Sequence, residues 1–312
     1  CLIYFCLFAN SSPVFGHICK YLFAFQYFTI IIIKVNILLS CLSYREYTGS
    51  ELYFYELSTA LRDAGHVVSI FSPFVDNPLR DRTNNIKFPN KDEILKETYD
   101  LVLFSHGKVI WEYLKGVKTN KLINIIHSEV IDLEEPVDDS KIDLYVGIRP
   151  SIVNFIKGKI PTANIKLIYN PFDFTRFNPQ TCKKKKSIKD KIVLFPGSLD
   201  YLRYKPLRYL LDLSEKQNFK VLHVGRSDYS TVHPNFTTSE PTWNVEKYYK
   251  QCDIVSGIFL GRTSIEGLLC NKKVLQFDVD NRGNIKKVYW HTDKDLQKFN
   301  KENVIKLLLN EL

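Results

Sequence analysis

Residues 254–277 constrain the fold more than any other stretch. An apolar run from Ile254 to Leu260 leads into Gly261-Arg262-Thr263-Ser264-Ile265-Glu266-Gly267, and Lys273 to Phe277 is strand-like again. Strand, tight glycine turn, short helix and strand belong to a parallel α/β sheet. This order opens a helix N-terminus at the carboxyl end of a strand, where such sheets bind phosphates. Glu266, inside that short helix, is in reach of a ribose hydroxyl beside those phosphates. Thr263-x-x-Glu266 also fits a capping box, in which Glu266 bonds only its own helix. These residues alone leave both readings open.

The same alternation runs through the chain. Val35 to Ser40 reads as a strand, Glu51 to Ala64 as a helix with the stripe Tyr53, Leu57, Ala60, Leu61, Ala64, and Val67 to Phe71 as a strand. Further strands are expected at 101–104, 122–126, 144–148 and 165–169, with helices at 109–114 and 151–157. After a lysine-rich stretch the pattern restarts. Strands are expected at 192–195, 220–224, 253–259 and 273–277, and helices at 206–217, 244–251 and 297–309. Two doubly wound α/β halves of this kind enclose a cleft between the carboxyl ends of their sheets. The expected division is an apolar extension over 1–33, a first Rossmann-like half over 34–180, a linker over 181–191 and a second Rossmann-like half over 192–312.

With 312 residues, 45% apolar and 25% charged, the chain is long enough for two domains and is globular in composition. Its net charge of +9 favours anionic partners: nucleotide phosphates or an anionic membrane face. No arginine-rich cluster interleaved with aromatics occurs, so nucleic acid is not an expected partner. Seven cysteines without Cys-x-x-Cys or Cys/His spacing read as reduced thiols in a cytoplasmic setting, with Cys252 and Cys270 in the core. Within residues 1–33 neither apolar piece reaches the roughly 18–20 residues of a membrane span. The expectation is a reading frame extended upstream of a start near Lys34; a membrane-associated segment is the alternative.

In this order, several motifs resemble the family-4-like, retaining glycosyltransferases of the GT-B fold. Gly49-Ser50-Glu51 before the first helix, with Ala64-Gly65-His66-Val67-Val68 after it, resembles the family's glycine-rich loop and "GHEV" strand. Asp100 to His106, Ile125-Ile126-His127, and Asn170-Pro171-Phe172-Asp173 with Phe177 and Pro179 resemble its next strand ends and its crossover. Phe195-Pro196-Gly197-Ser198-Leu199 with Lys205 resembles its phosphate site, Val224-Gly225 the following strand end, and Glu266-Gly267-Leu268 the "EA" that holds the donor ribose.

The resemblance implies transfer of a sugar from a nucleotide-diphosphate sugar to a glycan or lipid-linked acceptor, without cofactor or metal. The 34–180 half would take the acceptor and the 192–312 half the donor. His127, Lys205 and Glu266 would be catalytic. Gly49, Gly197, Ser198, Arg203, Lys205, Gly225, Arg262, Thr263, Ser264 and Glu266 would bind the donor. Arg203 would replace the usual arginine at Ser198, and Arg262 would share the role of the glutamate usually found where Ile258 stands. Asn170-Pro171 replaces the usual Asn-Gly, and the C-terminal helix that normally returns to the first half is expected to be short or absent. A catalytically decayed binding or scaffold protein on the same fold is the alternative.

Asp278-Val279-Asp280 spells a metal-binding "DxD" but is discounted as a chance match. The acidic run from Glu129 to Asp139 is expected as an exposed loop. Gly-x-Gly-x-x-Gly and the P-loop are both absent, which argues against dehydrogenase and NTPase functions.

Overall fold

The structure is a computed structural model that describes residues 34–184, 191–291 and 294–312. The 1–33 extension and most of the expected linker lie outside the described residues. Residues 35–312 pack as one unit.

The first half grows from strand β1 (Asn36–Ser40) through helix α1 (Gly49–Asp63) to β3 (Val67–Phe71). The apolar stripe of α1 buries Tyr53, Leu57, Ala60 and Leu61. The helix ends because Gly65 takes φ 93°, which only glycine adopts freely. The N–H of Gly65 then reaches Arg62 O and that of His66 reaches Leu61 O, so the last carbonyls are satisfied. A short pair, β2 (Ser43–Tyr44) and β4 (Phe74–Val75), flanks this unit. The half continues with α2 (Lys91–Lys96), β5 (Thr98–Phe104), α3 (Gly107–Leu114), β6 (Lys118–Ile126), β7 (Leu144–Gly147), α4 (Pro150–Lys159) and β8 (Ile165–Leu167). Its sheet runs β3-β1-β5-β6-β7-β8, with every pair parallel.

The second half holds β9 (Ile192–Pro196), α5 (Tyr201–Gln217), β10 (Lys220–Val224), β11 (Phe236–Ser239), α6 (Glu246–Tyr249), β12 (Ile254–Ile258), α7 (Arg262–Leu269), β13 (Lys273–Val279) and β14 (Ile285–Trp290). Its order is β11-β10-β9-β12-β13-β14, with β14 antiparallel at the edge. Counted within this sheet that is 3-2-1-4-5-6, the dinucleotide-fold order, and its direction reverses between β9 and β12. Both faces of the sheet are apolar, as a sheet covered by helices on both sides requires. Val193 and Phe195 face the α5 side with Leu207, Leu210 and Leu211, whereas Leu194 faces Val255, Ile265 and Leu269.

Three expectations need correction. The C-terminal helix is short but not absent, and it does return: α8 (Lys301–Leu309) packs on α1, and its Val304, Ile305 and Leu308 belong to the core of the first half. An amphipathic stripe joins whichever apolar face it covers, so α8 follows the second half in the chain but packs on the first. Cys182 and Cys270 are bonded as a disulfide rather than reduced, since the crossover from the first half carries Cys182 to 5.3 Å (Cα to Cα) from the C-cap of α7. Cys252 is a free, buried thiol. The run 129–139 is not simply exposed, because Glu134 is only 5% accessible.

Among the described residues no helix is long and apolar enough to cross a membrane, and no group of three or more His, Cys, Asp or Glu could hold a metal ion. Asp280 spends its carboxylate on its own turn, accepting from the N–H groups of Arg282 and Asn284 at 2.9 Å each.

Candidate functional site

The direction of the second sheet reverses between β9 and β12, so the ends of these strands leave a crevice where helices diverge. β9 ends at Gly197 (φ 109°), β10 at Gly225 (φ 152°), and β12 at the turn into α7. A Cβ on Gly225 would lie 2.2 Å from Gly197 O, so this approach requires glycine at 225, while the φ of 109° favours glycine at 197. A Cβ on Gly197 would lie 3.6 Å from Arg203 Nε and 3.9 Å from Thr263 Cγ2. Gly197, Gly225, Arg203 and Thr263 thus converge at one edge.

Arg203 comes from the first turn of α5, where Asp200 caps the helix by accepting from Leu202 N and Arg203 N. Arg203 Nη1 also pairs with Asp200 Oδ2 at 2.6 Å, which fixes the guanidinium beside the glycines. His223, within β10, donates from Nε2 to Gly197 O and accepts at Nδ1 from the Thr238 hydroxyl, each at 2.8 Å. Burial lowers its pKa, so the neutral ring braces the cradle. A histidine inside the apolar run Lys220–Val224 was its only sequence signal.

Ser198 borders this edge, half-buried. Ser264 is wholly buried, and its hydroxyl donates to Phe259 O at 3.2 Å, so it closes its own turn. Lys205 is exposed; its ammonium bonds the Asn284 side chain and lies 3.5 Å from Arg282 O, in the turn before β14. Gly49 begins α1 in the first half, with open space where a side chain would stand.

Glu266 resolves differently from either reading of the sequence. The N-cap of α7 is Gly261, so Thr263 caps nothing and no capping box forms. Glu266 is 4% accessible. Its Oε1 accepts from Arg262 Nε at 2.9 Å and its Oε2 from Tyr249 OH at 2.8 Å. Arg262 in turn reaches Glu56 Oε1 on α1 at 3.1 Å. A carboxylate has roughly four acceptor positions, so half of its capacity is taken. In this conformation the rest is covered by protein.

The facing edge of the first half carries His127 at the end of β6. Its ring stands edge-on to Tyr53 at 4.7 Å, and its Nε2 is buried without a hydrogen-bond partner. Burial, then the nearby His106 and Arg149, hold its pKa down at about 3. Glu134 accepts from the His127 N–H at 3.0 Å and lies 3.5 Å from His106 Nε2. Burial pushes the Glu134 carboxyl up to about 7. His106, in the left-handed region at φ 64°, accepts from Leu42 N at 3.0 Å, and burial lowers its pKa to about 4. Arg149 pairs with Glu129, donates to His127 O at 3.3 Å, and lays its guanidinium 4.9 Å from the Phe259 ring of the second half. Glu56, Glu134, Arg149 and Tyr249 were not foreseen, because a single charge or hydroxyl in an apolar run carries no motif.

The carboxyl edges of both sheets therefore meet across one seam. No family description matches the chain, and no curated protein matches it. Solved structures do match. HepE of Anabaena, in complex with UDP and glucose, is 14% identical with a TM-score of 0.59, over 79% of this chain and 82% of that one. AviGT4, a glycosyltransferase of avilamycin A biosynthesis, is 11% identical with a TM-score of 0.60, over 89% and 96%. Sucrose-phosphate synthase of Thermosynechococcus elongatus is 14% identical with a TM-score of 0.56, over 88% and 90%. At such identities the likeness establishes architecture: the chain has the GT-B fold of two Rossmann-like α/β halves facing a cleft.

Proposed function

We propose that the protein is a retaining, metal-independent glycosyltransferase that moves a hexose from a nucleotide-diphosphate sugar to a glycan or lipid-linked acceptor. The observation that carries this reading is the convergence of Gly197, Gly225, Arg203 and Thr263 at the switch point of a 3-2-1-4-5-6 sheet. The match to HepE, whose structure holds UDP and glucose, supports the same choice of donor class.

Transfer needs the leaving diphosphate neutralised as the sugar gains positive character. Arg203 supplies a fixed cation, and the first N–H groups of α7 add their partial charge. Lys205 stands two residues beyond Arg203 on the same helix and reaches a bound diphosphate only by leaving Asn284. Glu266 takes the ribose hydroxyls once Arg262 turns away from it. His127 meets the reacting sugar with a neutral ring, its free Nε2 offering one hydrogen bond. Work at an anionic membrane face on the cytoplasmic side, suggested by the net charge, belongs to the same proposal.

One observation favours a second reading, a decayed scaffold: both oxygens of Glu266 are already engaged. Turnover over a panel of uridine, guanosine and adenosine diphosphate sugars separates the two. Transfer or slow hydrolysis of any donor, weakened by Arg203→Ala, supports the transferase; absence of turnover with every donor supports the scaffold.

A further inference from the structure

Glu56 has no role in the reading above, yet it reaches from the first half to the first residue of α7. Its side chain is 2% accessible, and Arg262 Nη2 lies 3.1 Å from Oε1. The same guanidinium holds Glu266 at 2.9 Å and rests 4.7 Å from the Phe172 ring. One buried cation is thus shared by two buried carboxylates from opposite halves. Arg176 also influences Glu56 but is paired with Glu246; Lys301, likewise near, is paired with Asp173. The arrangement is a poor device for stability, since burying a second carboxylate against a cation that already has a partner costs more than it returns. Burial indeed raises the Glu56 pKa above the ordinary carboxylate range, against the pull of Arg262.

We propose that Glu56 and Arg262 form an interlobe latch, an autoinhibitory contact that competes with the donor for Arg262. The latch rests on the donor reading above for what opens it. A nucleoside diphosphate presents the anionic oxygens that can draw Arg262 away from Glu56. Once Arg262 swings, Glu266 is released to accept from the ribose. Donor affinity then scales with the fraction of molecules that are unlatched, and weakening the latch raises it.

Glu56→Gln keeps the shape and removes the charge. Arg262 and Glu266 remain as a matched pair, so the variant is expected to fold; Glu56→Asp, too short to reach Arg262, is the second variant. Two readouts apply to each. Without ligand, amide hydrogen exchange in 49–63 and 262–269 is expected to be faster than in the unaltered protein; unchanged exchange in both variants overturns the latch. With UDP as probe, titration calorimetry is expected to give about fivefold or more tighter binding for Glu56→Gln; equal or weaker binding overturns the latch. If UDP binds neither protein, the donor reading fails separately, and the exchange comparison alone decides the latch.

Discussion

Gly225 and Gly197 work as a pair, because the backbone of one occupies the space a side chain of the other would need. Gly225→Ala is expected to lower thermal stability and abolish nucleotide binding together, since its Cβ would collide with Gly197 O at a φ of 152°. Arg203→Ala has a narrower effect. Loss of one charge-assisted contact costs about 1.5–3 kcal/mol, so diphosphate affinity should fall about tenfold to a hundredfold by calorimetry, with the melting point little changed. Glu134 gives a pH test. Its folded pKa, about 7, lies above the ordinary carboxylate value, so the folded state binds the extra proton between the two. Its contribution to stability is complete below pH ~4.5 and is lost as pH rises through about 7. The melting-point advantage of the unaltered protein over Glu134→Gln should therefore shrink over that window; an advantage that grows with pH contradicts this. Gly197 and Gly225 were legible in sequence as glycines that follow visible strands, whereas Arg203, in the first turn of α5, was reached only through the family resemblance. Sequence did not reveal that Lys205 leans toward Asn284 or that Glu266 belongs to Arg262 and Tyr249, because Asn284 and Tyr249 are distant in the chain and an i,i+4 Arg–Glu spacing alone does not say that the pair turns inward.

At the scale of elements, α7 sets the cradle by lying flat on β12. Gly267 makes this possible: an added Cβ would come within 2.9 Å of Val255 Cβ. Gly267→Ala should lift the helix, destabilise the protein by about 1–3 kcal/mol, and weaken nucleotide binding although residue 267 faces Val255 and Val274 of the sheet. Unchanged binding would separate the helix from the site. Most elements were legible because their apolar periods were clean, α1 above all. The start of α5 was misjudged, since Pro206 looks like a first-turn residue whereas Asp200 caps the helix five residues earlier than expected. Strands β11 and β14 were missed. β11 is four residues long, and β14 is an edge strand whose Lys286 and Lys287 interrupt the apolar pattern.

For the whole molecule, the two halves are coupled both by the seam and by the chain returning on itself. Helix α8 leaves the second half and completes the first core with Val304, Ile305 and Leu308. Leu308→Ala should cost about 2–5 kcal/mol in chemical denaturation despite lying near the C-terminus; a loss within error would mean that α8 is a peripheral appendage. Trp243 ties the halves again, between the guanidinium groups of Arg82 and Arg176 and edge-on to Tyr55. Such contacts are invisible in sequence, where α8 reads only as an amphipathic helix without a stated partner.

The central claim is that the glycine-lined edge of the second half grips a nucleoside diphosphate. Titration calorimetry of the unaltered protein against uridine, guanosine and adenosine diphosphates tests it most directly. The expected result is saturable one-to-one binding of at least one of them, lost in Gly225→Ala. Absence of binding for all three, or binding that survives that substitution undiminished, would contradict it.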